Sequence, residues 1–205
     1  MPAGASLPAD LFENTDDPEF REAVMSECIF PLSRVADGVR YEIDIDKARL
    51  DRALIHRFLA ASPWALGIPR SVLERAIDHS IAFGLYRGSR QVGFARVVTD
   101  LATFAYIADV FVLPEERGKD LGRWLVESML AHPELQGLRR WLLGTRSAHG
   151  LYRRCGFAEA PPPFAFLERH DRAAYAGERV ALRRARRRKL ARTAESGLAE
   201  GGHPG

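Results

Sequence analysis

A chain of 205 residues, 46% hydrophobic and 28% charged, is long enough for one sizeable core and reads as one globular unit rather than two. No apolar run is long enough to span a membrane, and the first residues lack the charged and apolar regions of a secretory leader. Two cysteines, Cys28 and Cys155, make no disulfide framework, so the expectation is a cytoplasmic protein with reduced thiols and no membrane partner.

The net charge of +3 hides an asymmetry. Residues 183–192 hold seven basic residues and no acid, and Glu195 and Glu200 follow, so residues 183–205 carry +5 and the preceding 182 residues carry −2. The body is mildly acidic and the basicity is an appendage. Residues 181–205 read as a basic, disordered tail, its end rich in Gly. Nucleic acid is expected as a partner only through this tail. At the other end, residues 1–38 show Pro and acidic clusters with weak periodicity, room for a short helix near residues 18–26, and are taken as an arm. The folded domain is expected over residues 39–180.

In chain order, residues 41–46 alternate with period two and predict a first strand. Asp51 can cap a helix whose apolar stripe is Leu54, Ile55, Phe58 and Leu59. A Pro- and Gly-bounded loop, residues 63–69, separates it from a second helix over residues 71–79. Three strands follow, over residues 81–86, 92–98 and 104–112, the first two joined by a turn at residues 87–90. A helix starts near Leu121 with Trp124, Leu125, Ser128 and Met129 in register. Then come a strand over residues 141–145, a short helix containing Leu151 and Tyr152 that Gly156 ends, and a last strand over residues 164–168. The order is β-α-α-β-β-β-α-β-α-β, an α/β chain of α+β type.

Residues 110–122 are the most informative stretch. Val110, Phe111 and Val112 form a strand signal that Pro114 ends, and Arg117, Gly118, Lys119, Asp120 and Gly122 lead into the helix that begins near Leu121. Small residues let a ligand approach the backbone, and the first N–H groups of a helix have no internal partner. Together with the helix dipole they favour an anion such as a pyrophosphate. The competing reading is a solvated charged turn. About thirty residues on, the run from Thr145 to Phe157 contains Ala148, His149, Gly150, Leu151, Tyr152, Cys155 and Gly156.

The two stretches together resemble the GNAT (GCN5-related N-acetyltransferase) superfamily. Its first signature, Gln/Arg-x-x-Gly-x-Gly/Ala after a strand, is similar to Arg117 through Gly122. Its second, ending in Leu-Tyr-x-x-x-Gly-Phe, is similar to Thr145 through Phe157. Asp120 stands where the family usually has Gly, and Thr145 where it usually has Asn. The resemblance covers about residues 80 to 170. It implies a mixed, mostly antiparallel central sheet flanked by helices and splayed between its central strands. It also implies acetyl-CoA as co-substrate and a primary amine, of a small molecule, as acceptor.

The resemblance further implies how the site residues act. The backbone of Arg117, Gly118, Lys119, Asp120, Leu121 and Gly122 would hold the pyrophosphate, with Arg117 and Lys119 offsetting the Asp120 charge. The strand before the turn would carry a bulge, and backbone groups of Val110, Phe111 and Val112 would pair with the pantetheine arm and polarise the acetyl carbonyl. Thr145 keeps a hydrogen-bonding group at its position. Tyr152 matches the tyrosine that protonates or hydrogen-bonds the departing sulfur. Asp109 could attract an ammonium group or relay its proton through water; Tyr106 is an alternative, as is water with no dedicated base. His149 could touch substrate or be a surface residue. Cys155 could be a thiol catalyst or a buried packing residue. Trp64, Phe83, Tyr86 and Phe94 are candidates for an acceptor wall or for core.

No His or Cys pair has metal-ligand spacing, so no metal is expected, and the Gly-x-x-x-x-Gly-Lys-Ser/Thr nucleotide loop is absent. A homodimer is admitted. A reading from another class also stays open: a non-catalytic acyl-CoA-binding module whose basic tail engages a partner or nucleic acid.

Overall fold

The computed structural model describes residues 30–160, 162–163, 165–171 and 174–175. The tail expected over residues 181–205 and the helix expected near residues 18–26 lie outside them. Six strands form one sheet in sequence order. β1 (Leu32–Ala36), β2 (Val39–Asp44), β3 (Ile81–Arg87), β4 (Arg90–Thr99) and β5 (Phe104–Val112) pair antiparallel, and β6 (Arg140–Leu142) runs parallel to β5. The helices are α1 (Arg52–Ala61), α2 (Arg70–Asp78), α3 (Leu121–Leu130) and α4 (His149–Arg154). The expected class, a mixed and mostly antiparallel sheet flanked by helices, is the observed one.

The element order differs from expectation at both ends. β1 falls within residues 1–38, where the sequence shows no strand, and pairs along its whole length with β2. It is an edge strand with Val35 66% exposed, so it lacks the buried face that makes alternation legible. Residues 165–168 form no strand and are exposed, and residue 164 lies outside the described part. β6 is also shorter than residues 141–145, ending at Leu142.

The helices form for the local reasons their residues suggest. Asp51 Oδ1 accepts from the Leu54 N–H at 2.8 Å, capping α1, and Ile55 and Leu59 are fully buried. α2 turns Leu73 and Ile77 inward, and Arg52 donates to Asp78 at 2.9 Å, tying the start of α1 to the end of α2. In α3 the whole expected stripe, Leu121, Trp124, Leu125, Ser128 and Met129, is buried.

Alternation in β3 to β5 separates two faces of the sheet. Phe94 pairs with Phe111 in register, and Phe111 stacks on Phe58 of α1 at 3.9 Å between ring centroids. Phe83, opposite Ala95, points to the other face, where its ring meets the edge of His132 just after α3 at 5.8 Å. So α1 covers one face and the end of α3 the other. Phe83, Tyr86 and Phe94 are at most 1% exposed and belong to the core, whereas Trp64 in the α1–α2 loop is 56% exposed.

Two irregularities in β5 shape the site. Between the pairs Phe94↔Phe111 and Arg96↔Ala108, β5 contains one residue more than β4, and Asp109 takes a left-handed conformation with φ 56°. This is a β-bulge, which bends its strand. In addition, β6 pairs only with residues 104–106 of β5, ending at Tyr106↔Leu142. Beyond Tyr106, β5 has no strand partner on that side among the described residues, and the two strands part.

Candidate active site

The gap between β5 and β6 opens toward the start of α3. Leu113 N–H donates to Val92 O at 2.8 Å, so residue 113 faces β4 and, by alternation, the N–H and C=O of Val112 face the gap. Arg117 Nε lies 3.0 Å from Val112 O and takes up that carbonyl. Of the three expected residues, Val112 turns its N–H into the opening and has its carbonyl held by Arg117, whereas the backbone of Phe111 faces β4, in register with Phe94. Their side chains are core or half-buried, as plain strand residues would be.

After β5, a 3₁₀ turn (Pro114–Glu116) leads into residues 117–120. Gly118 has φ 81°, a left-handed conformation that disfavours any side chain. Asp120 also takes a left-handed conformation, with φ 57°, and its side chain makes no capping hydrogen bond to α3. The first N–H groups of α3 thus have neither a helical partner nor a side-chain cap. Gly122 has a packing reason to be small: a Cβ there would lie 3.3 Å from Leu151 Cδ1 of α4. That approach seats α4 beside the first turn of α3.

The basic side chains of the turn are engaged inward. Lys119 Nζ donates to Glu116 Oε2 at 2.5 Å and to Tyr41 Oη at 2.9 Å. Tyr41 Oη donates to Glu116 Oε2 at 2.6 Å, and Arg87 Nη1 lies 3.2 Å from Glu116 Oε1. Glu116 is 1% exposed. The Arg117 and Lys119 side chains, expected to offset Asp120, have these other partners, so the turn offers its backbone rather than mobile cations. The Lys119, Tyr41 and Arg87 donors hold the Glu116 carboxyl down, at about 2, against the upward push of burial. Its stabilising contribution is fully present above the ordinary value of 4.5 and is lost as pH falls toward 2. In thermal denaturation, the advantage of the wild type over Glu116→Gln should therefore shrink as pH falls through that window; a difference that stays constant would contradict this assignment.

Tyr152 sits on α4, its ring edge-on to Phe157 at 6.0 Å. Burial, with smaller contributions from Cys155 and Tyr106, pushes its hydroxyl up to about 12, so it holds its proton at neutral pH. Tyr106 Oη is 3.4 Å from where a Cβ on Gly144 would lie, which sets Tyr106 at the mouth of the gap. Thr145 Oγ1 accepts from the Ala148 N–H at 3.0 Å and so shapes the entry to α4. Along β6 and α4 runs a cleft of about 630 Å³ whose walls include Trp141, Leu143, Thr145, His149, Tyr152 and Phe157. The turn at residues 117–122 is not part of that wall; α4 lies between the two, with Tyr152 in the cleft wall and Leu151 against Gly122. Cys155 is 6% exposed and burial raises its thiol to about 11, which fits packing rather than thiolate chemistry.

Asp109, at the bulge, pairs with Arg96 Nε at 2.5 Å, with 9% of the Asp109 side chain exposed. Arg96 was not legible as a site residue. The bulge that brings Asp109 over it is a property of the paired strands. Glu116 was missed for a similar reason, since Tyr41 lies 75 residues away in sequence. Among the described residues, no group of three or more His, Cys, Asp or Glu side chains could hold a metal ion, and no helix is long and apolar enough to cross a membrane.

Comparison with known proteins bears on the family and the fold. Residues 78–159 match the model of the acetyltransferase (GNAT) domain. A Gibberella zeae protein, whose name proposes acetyltransferase activity, is 33% identical over 135 residues, 55% of this chain and 75% of the relative. A crystal structure from Xanthomonas campestris pv. campestris, described as a proposed acetyltransferase of the GNAT family, is 48% identical with TM-score 0.63 over 66% of this chain and 96% of that one. A Staphylococcus aureus protein of unknown function, 19% identical with TM-score 0.53 over 64% of this chain and 99% of its own, shares the fold. The chain belongs to the GNAT acetyltransferase family.

The left-handed Asp120 has a testable consequence. Replacing it by Gly removes both a strained non-glycine φ and a carboxylate next to the proposed anion site. Asp120→Gly should bind acetyl-CoA as tightly as the wild type or more tightly, by calorimetry. A marked loss would show that Asp120 contributes to binding.

Proposed function

We propose that the protein transfers an acetyl group from acetyl-CoA to a primary amine of a small molecule. One observation carries this reading. β5 loses its β6 partner after Tyr106, and the opening is flanked by the uncapped first turn of α3 and by α4, which bears Tyr152.

The residues present fit the donor. The Gly118–Gly122 backbone and the first N–H groups of α3 would hold its diphosphate. The β5 edge, through the backbone of Val110 and Val112 on either side of Phe111, would pair with its amide-bearing arm as a missing strand would. When bound, acetyl-CoA supplies an activated thioester carbonyl. A backbone N–H at the bulged end of β5 would polarise that carbonyl. Tyr152 holds a proton at Oη, available to the departing sulfur, and its half-buried position keeps the hydroxyl protonated until needed.

The acceptor amine must arrive or become neutral. Asp109 faces Arg96 rather than standing alone, so it acts on an ammonium group only together with that guanidinium. Water is the remaining route for the amine proton. Exposed Trp64 in the α1–α2 loop and Tyr106 at the gap are apolar surface available to the acceptor.

Titration calorimetry with acetyl-CoA, followed by thiol release against a panel of small amines, tests the reading. Saturable binding and amine-dependent thiol release are expected. Absence of binding would remove the proposed donor site, and binding without release would favour the acyl-CoA-binding module.

A further inference from the structure

The shape of the turn at residues 117–120 is not explained by its own packing. A Cβ on Gly118 would meet nothing within 4 Å, and glycine takes its positive φ at no steric cost. Asp120 is left-handed without a capping bond, a conformation that costs a non-glycine residue energy. The Arg117–Val112 contact and the group around Glu116 tie the turn to the sheet, and Arg123 lies 3.9 Å from Asp120.

The ion pair Glu116–Lys119 closes across this segment, joining the residue before Arg117 to the residue after Gly118. Its carboxylate is anchored in turn by a cross-strand pair. Tyr41 of β2 and Arg87 of β3 are direct partners in register, and both donate to Glu116. Tyr41 is fully buried, and Glu116 is 1% exposed. A buried carboxylate with donors on both oxygens is a rigid fixture, because loosening it would leave a charge without partners.

We infer that Glu116 and Tyr41 are positioning residues for the diphosphate of the donor: through Lys119 they fix residues 117–120 so that the first N–H groups of α3 point at that group. This rests on the reading of the turn as the acetyl-CoA site. Neither side chain touches the donor. Their effect is on the geometry of backbone donors, where small displacements are costly.

The test uses two variants that keep side-chain volume, Glu116→Gln and Tyr41→Phe, with the melting temperature and circular dichroism of each recorded to show that it folds. The dissociation constant for CoA is measured by calorimetry. In parallel, kcat/KM is measured for acetyl-CoA and for S-acetyl-pantetheine, which lacks the diphosphate. The dissociation constant for CoA should rise about 10-fold in Glu116→Gln and less in Tyr41→Phe, as expected for weakening charge-assisted contacts. The loss in kcat/KM should be concentrated on acetyl-CoA and be much smaller for S-acetyl-pantetheine. Equal losses with both donors, or wild-type affinity for CoA in a folded Glu116→Gln, would overturn the inference. Wild-type affinity for CoA reports on the site itself, and the variant-to-wild-type ratio reports on the network. A wild type with no affinity for CoA would overturn both.

Discussion

Tyr152→Phe should lower the rate of acetyl transfer in a single turnover by about 10-fold to 1000-fold, the range for removing one proton donor or oxyanion partner. The hydroxyl lies on α4 beside the gap, and burial holds it protonated, near 12. Phe keeps the ring that packs edge-on against Phe157, so the fold and the affinity for acetyl-CoA should survive. Tyr152→Ala removes that ring as well and should also lower the melting temperature. If Tyr152 were only a packing residue, the Phe variant would turn over at the wild-type rate and only the Ala variant would be damaged. Rapid-quench single turnovers on both variants separate the two cases.

Gly122→Glu should abolish detectable acetyl-CoA binding. Gly122 lies in the first turn of α3, where a side chain already meets Leu151 at 3.3 Å from its Cβ. A carboxylate added there is repelled by a diphosphate and competes for the same N–H groups. Because part of the damage could come from displacing α4, Gly122→Ala is the companion. It adds one carbon without charge, and it should keep measurable affinity while losing some stability. Calorimetry that gives Gly122→Glu the wild-type dissociation constant would place the donor elsewhere.

Strong local periodicity made the central elements readable. The strand over residues 104–112 is β5 to the residue, and every member of the α3 stripe is buried. The turn chemistry of residues 117–122 was readable because Gly, a helix start and an apolar strand stand next to one another. What escaped detection depends on pairing between distant residues. β1 carries a partly exposed edge pattern, and only its register with β2 makes it a strand. Residues 141–145 look like a full strand, yet the ladder stops at Leu142, where β5 and β6 part. Glu116 belongs to a run of charges that reads as a solvated turn. Its burial becomes visible only when Tyr41, Arg87 and Lys119 come together around it. The same holds for Asp109, whose partner Arg96 faces it across the bulge.

The most direct measurement is mass spectrometry of a primary-amine panel incubated with acetyl-CoA and the wild-type chain, with Gly122→Glu as control. The account predicts at least one N-acetylated amine, formed in step with free CoA and absent with the variant. Saturable binding of acetyl-CoA with no acetylated product from any amine would contradict it.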